Sequence, residues 1–89
     1  MPQKEIEIIN KLGLHARAAA KLVTLASRFQ CEIDIMRDEK KVNAKSIMGV
    51  MMLAAAKGCT VRVIAEGEDA TEALAQIEAL INDRFGEGQ

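Results

Sequence analysis

The stretch "KEIEIINKLGLHARAAAKLV", Lys4 to Val23, changes its period halfway along. Ile6 and Ile8 alternate with Glu5 and Glu7, the two-residue repeat of a half-buried strand. Gly13 breaks the repeat. From Ala16 to Phe29 the apolar residues Ala19, Leu22, Val23, Ala26 and Phe29 recur at spacings of three and four, as one face of a helix requires, while Arg17, Lys21, Thr24 and Arg28 fall on another side. The only histidine of the chain, His15, stands where strand gives way to helix.

Outward from this junction the alternation resumes. "CEIDIM" sets Ile33 and Ile35 against Glu32 and Asp34, and "RDEKK" is a charged turn leading into a short returning strand, "KVNA". In "KSIMGVMMLAAAKG" Ser46 is placed to cap a short helix that runs towards Gly58. "CTVRVIAEG" reads as a fourth strand with Val61, Val63 and Ala65 on one face. A last helix follows, with Asp69 and Glu72 spaced as a capping box, Ala73, Leu74, Ile77, Leu80, Ile81 and Phe85 as its buried stripe, and Gly86 after its last turn. The expected fold class is α+β, in the order β-α-β-β-α-β-α, with an antiparallel sheet carrying its helices on one face. No linker or repeat divides the chain, so residues 1–89 are expected to form a single domain.

Composition narrows the function. A chain of 89 residues has room for one core and buries only about 60–65% of its unfolded surface. Its net charge of −1, with Phe29 and Phe85 as the only aromatic residues, lacks the basic excess and stacking rings of a nucleic-acid reader. The start "MPQKEIEI" does not read as a secretory signal, and the apolar run Ile47 to Ala56 is about half of what a bilayer requires. A cytoplasmic protein without membrane insertion is expected. Cys31 and Cys59 are isolated and have no second histidine beside them, so neither a metal nor a cofactor is expected.

The N–H groups of a helix's first turn lack intrahelical partners and, with the macrodipole, favour an anion. A group carried on the ring of His15 would lie over the N–H groups of Ala16 and Arg17, with the Arg17 guanidinium adding a fixed positive charge. No acid that would orient His15 is evident in its local sequence, which argues against a Ser-His-Asp hydrolase. Imidazole is, however, a nucleophile in its own right. Reversible phosphorylation of His15 is the chemistry that fits.

"NKLGLHARAAAKL", Asn10 to Leu22, closely resembles the active-site motif of the HPr family, the histidine-containing phosphocarriers of the bacterial phosphoenolpyruvate-dependent phosphotransferase system. Length, element order and the later "KSIMGVMMLAAAKG" segment match as well. The resemblance implies an open-faced sandwich, a four-stranded antiparallel sheet with three helices on one face. It implies that Nδ1 of His15 takes a phosphoryl group from phosphorylated enzyme I and passes it to an enzyme IIA domain, with Arg17 assisting. Family members commonly carry proline where this chain has Ala18; alanine restores an N–H there and removes a stiffener of the first turn.

Ser46 fits a helix cap, and "KSIMG" also resembles the site that an HPr kinase/phosphorylase modifies in many bacteria. A phosphate there adds nearly two negative charges at a helix start. "IMGVMMLAAA" holds more apolar residues than one face of a short helix hides, and the family implies that Ile47, Met48 and Met51 form the apolar centre of a docking surface. Lys21 and Arg28, with Arg17, would be its basic rim. Beside the carrier stands a second reading, a regulatory module of the nitrogen-related branch whose phosphorylation state is read by target proteins. A free-standing enzyme of similar topology, such as an acylphosphatase, needs an arginine-rich phosphate loop elsewhere, and "GLHAR" argues against it.

Overall fold

The computed structural model describes residues 2–87. Four strands, β1 (Gln3–Glu7), β2 (Glu32–Arg37), β3 (Lys40–Asn43) and β4 (Thr60–Glu66), alternate with three helices, α1 (Ala16–Ala26), α2 (Ile47–Met52) and α3 (Ala70–Asn82). The strands form one antiparallel sheet in the order β1-β4-β2-β3. This is the expected α+β architecture, with the helices on one face.

The period-two pattern sets the sheet's two faces. Ile6, Ile33, Ile35, Val61, Val63 and Ala65 are buried, while Glu5, Glu32 and Arg62 between them are exposed. Against the buried face lie Ala18, Ala19, Leu22 and Ala26 of α1, Val50 of α2, and Ala73, Leu74, Ile77 and Ile81 of α3. Among the described residues no helix is long and apolar enough to cross a membrane.

Four expectations need correction. Helix α3 ends at Asn82, so Phe85, expected on its buried stripe, is buried from a following short turn at positive φ, and Leu80 is only partly buried. Helix α1 stops at Ala26, where Arg28 N and Phe29 N bond back to Leu25 and Ala26 carbonyls in tighter turns, so Phe29 packs on the core from beyond the helix. Helix α2 stops at Met52 and does not run on towards Gly58: the backbone turns out of it at Ala54, which has a φ of 51°, and basic side chains of the β2–β3 hairpin satisfy the carbonyls left open at its end. Lys40 Nζ donates to Met52 O at 2.9 Å, and Arg37 Nη1 donates to Leu53 O and Ala54 O at 2.9 and 3.0 Å. Asp69 begins α3 but makes no capping bond; its carboxylate accepts instead from Gln30 N at 2.8 Å and Cys31 N at 2.9 Å, tying α3 to the turn after α1.

Candidate functional site

The loop after β1 is closed by Gly13 N donating to Asn10 O and is fastened to the segment after α2 by Leu14 N donating to Ala55 O at 2.8 Å. Gly13 has a φ of +63°, and a Cβ there would sit 2.6 Å from Ala55 O, so only glycine lets the two segments meet. The chain then enters α1 with His15 extended, at φ −76° and ψ 178°. His15 O accepts from Ala19 N at 2.8 Å, which leaves the N–H groups of Ala16, Arg17 and Ala18 without an intrahelical acceptor.

The ring of His15 makes no capping bond. Its Nε2 lies against Oε2 of Glu87, and the two side chains are 28% and 13% exposed. Seventy-two positions separate them. Three features bring Glu87 there. Phe85 is fully buried, Lys21 Nζ donates to Phe85 O at 2.6 Å, and Asn10 Nδ2 donates to Glu87 Oε1 at 3.1 Å. Arg84 and Phe85 both adopt φ of 54° in this turn. That costs about 1–2 kcal/mol per residue, which burial of the Phe85 ring, worth about 1.5–3 kcal/mol, largely offsets.

Asn10 is itself completely buried, and its Nδ2 also donates to Gly13 O at 2.8 Å. Its Oδ1 has no partner among the described residues. An orphaned buried acceptor costs roughly 1–3 kcal/mol, so Asn10 is set for its two donors at the expense of its acceptor. Burial alone would raise the pKa of Glu87, but the bonds from His15 and Asn10, with the nearby charge of Lys21, outweigh it and hold the carboxyl below its ordinary value of 4.5.

Lys11, Leu12, His15, Ala16, Arg17, Lys21, Gly86 and Glu87 line a cleft of about 630 Å³. Among the described residues Arg17 makes no ion pair and is free to meet an anion. A second groove of about 450 Å³ continues along the exposed side of α1 between Arg17, Lys21, Arg28 and the apolar Leu25 and Leu80. His15, Ala16, Arg17 and Lys21 thus share one cleft, and Arg28 joins its continuation. Lys21 also pins the 84–87 turn through Phe85 O.

Ser46 and the α2 side chains line neither cavity. The Ser46 hydroxyl caps α2 by accepting from Gly49 N at 3.1 Å. Ile47, Met48 and Met51 are 39%, 69% and 42% exposed, and Leu12 and Met52, which periodicity did not single out, are 64% and 60% exposed. Sequence reasoning also missed Asn10 and Glu87. The one usable signal was Phe85, whose place in the buried stripe implies that the residues just after it are held near the core.

A family model, "PTS HPr component phosphorylation site", matches residues 2–83. The phosphocarrier protein HPr of Pseudomonas aeruginosa is 56% identical over 90 residues, covering the whole of both chains. The phosphocarrier protein NPr of Shewanella violacea is 47% identical over 85 residues, covering 96% of this chain and 93% of that one. A crystal structure of HPr from Thermoanaerobacter tengcongensis superimposes with a TM-score of 0.95 at 50% identity, covering 98% of each chain.

Proposed function

The chain belongs to the HPr family of phosphocarriers of the phosphotransferase system, and we propose that it carries its phosphoryl group on Nδ1 of His15. The observation that carries this assignment is the engagement of the other ring nitrogen, Nε2, by Glu87 at the mouth of a cleft that holds Lys11, Arg17 and Lys21. The lone pair of Nδ1 is then the one left to attack phosphorus. The N–H groups of Ala16 and Arg17 receive the phosphoryl oxygens, and the Arg17 guanidinium offsets their charge. Phosphorylated enzyme I is the donor and an enzyme IIA domain the acceptor.

Residues 1–89 act as one cytoplasmic domain in this reading. The exposed Ile47, Met48 and Met51 form the apolar centre of the docking surface, and Lys21 and Arg28 its basic rim. Ser46 is the regulatory position, modified by an HPr kinase/phosphorylase; its place at the start of α2, where the residue is not fully buried, supports this. Neither a metal nor a cofactor is required.

Incubation with phosphoenolpyruvate and enzyme I should give an acid-labile phosphate on the wild-type protein and none on His15→Ala. Acid-stable phosphate on that variant under the same conditions would overturn the assignment. The likeness to the Shewanella violacea NPr supports a second reading, a module of the nitrogen-related branch. Faster transfer to a nitrogen-branch enzyme IIA than to a sugar-specific one would favour it.

A further inference from the structure

We propose that Glu87 is a positioning residue for His15: its carboxylate keeps the ring proton on Nε2, leaves the Nδ1 lone pair for phosphorus, and faces the positive charge of the phosphorylated ring. This rests on the reading that His15 is the phosphoryl acceptor. An ionised carboxylate only accepts hydrogen bonds, so the ring nitrogen it touches must be the one that carries hydrogen. The carboxylate is held in place independently of the ring. Its other oxygen accepts from Nδ2 of the buried Asn10, whose amide faces two acceptors, Gly13 O and Glu87 Oε1, and therefore presents its NH₂ group to both. The turn that delivers Glu87 is fixed by the buried Phe85 and by Lys21.

The arrangement follows the charge through both transfers. As the Nδ1 lone pair forms the N–P bond, the bond from phosphorus to the donor breaks and its electron pair leaves with the donor. The proton stays on Nε2, so the ring becomes cationic while it carries the group, directly opposite Glu87. When the next acceptor attacks, the N–P electron pair returns to Nδ1 and imidazole departs neutral. A ring that had lost its Nε2 proton would have to leave as an anion, a far poorer leaving group. Lys11, Arg17 and Lys21 line the same cleft and favour the phosphoryl oxygens, whereas among the described residues lining it Glu87 is the only group of opposite sign.

The test compares wild type with Glu87→Ala and Glu87→Gln, in ¹⁵N spectra of the His15 ring at a pH of about 8, where an ordinary imidazole is neutral, and in transfer from phosphorylated enzyme I. Wild type should show Nε2 protonated and Nδ1 bare. Glu87→Ala should move both nitrogens towards the average of the two tautomers and slow transfer roughly tenfold or more, the loss expected for a charge-assisted hydrogen bond. Glu87→Gln, which keeps an acceptor but not the charge, should fall between them. An unchanged spectrum in both variants overturns the proposal, whether or not the rate falls, because a loss of rate alone would come from the packing of the 84–87 turn. A wild-type protein that takes no phosphate on His15 overturns the assignment of the acceptor, and this proposal with it. Normal phosphorylation of wild type with equal rates in the variants overturns the role of Glu87 alone.

Discussion

At the start of α2 the Ser46 hydroxyl accepts a hydrogen bond from Gly49 N at 3.1 Å, whereas at the start of α1 His15 gives its side chain to no helix amide and turns its ring to Glu87. Both residues are extended, and each lends its carbonyl to the first helical bond, from Val50 N and Ala19 N. The difference lies in where the side chain is spent. Ser46 satisfies its helix locally, so the position serves stability in the unmodified protein. His15 leaves the first N–H groups of α1 open beside Arg17 and Lys21, the kind of helix start that favours an anion.

The comparison breaks most severely at Arg17. If α1 begins as an anion site, Arg17→Ala should slow phosphoryl transfer roughly a hundredfold, the scale on which removal of one preorganised donor acts. Its melting temperature should stay near that of wild type, because Ala19, Leu22 and Ala26 hold the helix from the buried face. Rapid-quench transfer rates and thermal unfolding on the same samples check this. A melting shift that accounts for the lost rate would make Arg17 structural, and the two helix starts would then be alike.

Ser46→Asp sharpens the comparison from the other side. Aspartate caps a helix about as well as serine, so the substitution adds charge without removing the cap. On the docking reading, a few close unfavourable charge pairs cost roughly 1–3 kcal/mol, and the concentration giving half-maximal phosphorylation at His15 should rise about tenfold. Added salt should narrow the gap, since exposed charges are screened. Ser46→Ala should do the reverse, docking as wild type does while losing about 1 kcal/mol of stability. Wild-type kinetics for Ser46→Asp at low salt would leave Ser46 a cap and nothing more.

What could be read in the sequence follows the range of each interaction. The strands, the helices and the placing of His15 and Arg17 at one helix start depend on neighbours a few positions away, and alternation, helical spacing and the glycine turn record them. Glu87 reaches His15 only because α3 folds back across the sheet and Phe85 is drawn into the core, and no local pattern carries that path. The early end of α2 has the same origin. Its run of alanines favours a longer helix, but the backbone turns out at Ala54, and Arg37 and Lys40 on the neighbouring hairpin satisfy the carbonyls left open. Lys21 looked like a free rim charge, and its ammonium is also the clamp on the 84–87 turn.

Asp69 supplies a third helix start and the smallest expected effect. Its spacing from Glu72 promised a capping box, yet its carboxylate crosses to the turn after α1, and Glu72 bonds Gln76 instead. The Gln30 N–H, then the Cys31 thiol and its N–H, hold the Asp69 carboxyl below its ordinary value of 3.8. A carboxyl that is more acidic folded than unfolded stabilises the fold above its unfolded value, and that contribution fades as pH falls through the lower, folded one. Asp69→Asn keeps one acceptor but no charge. Its melting temperature should therefore fall short of wild type at neutral pH, with the gap narrowing once pH drops below 3.8. Phosphorylation at His15 should not change, because this helix start lines neither the His15 cleft nor its continuation. A melting gap that stays constant across the acid range would mean that geometry and not charge joins α3 to the turn, and Asp69 would then resemble Ser46, a side chain spent on backbone amides, more than it resembles His15.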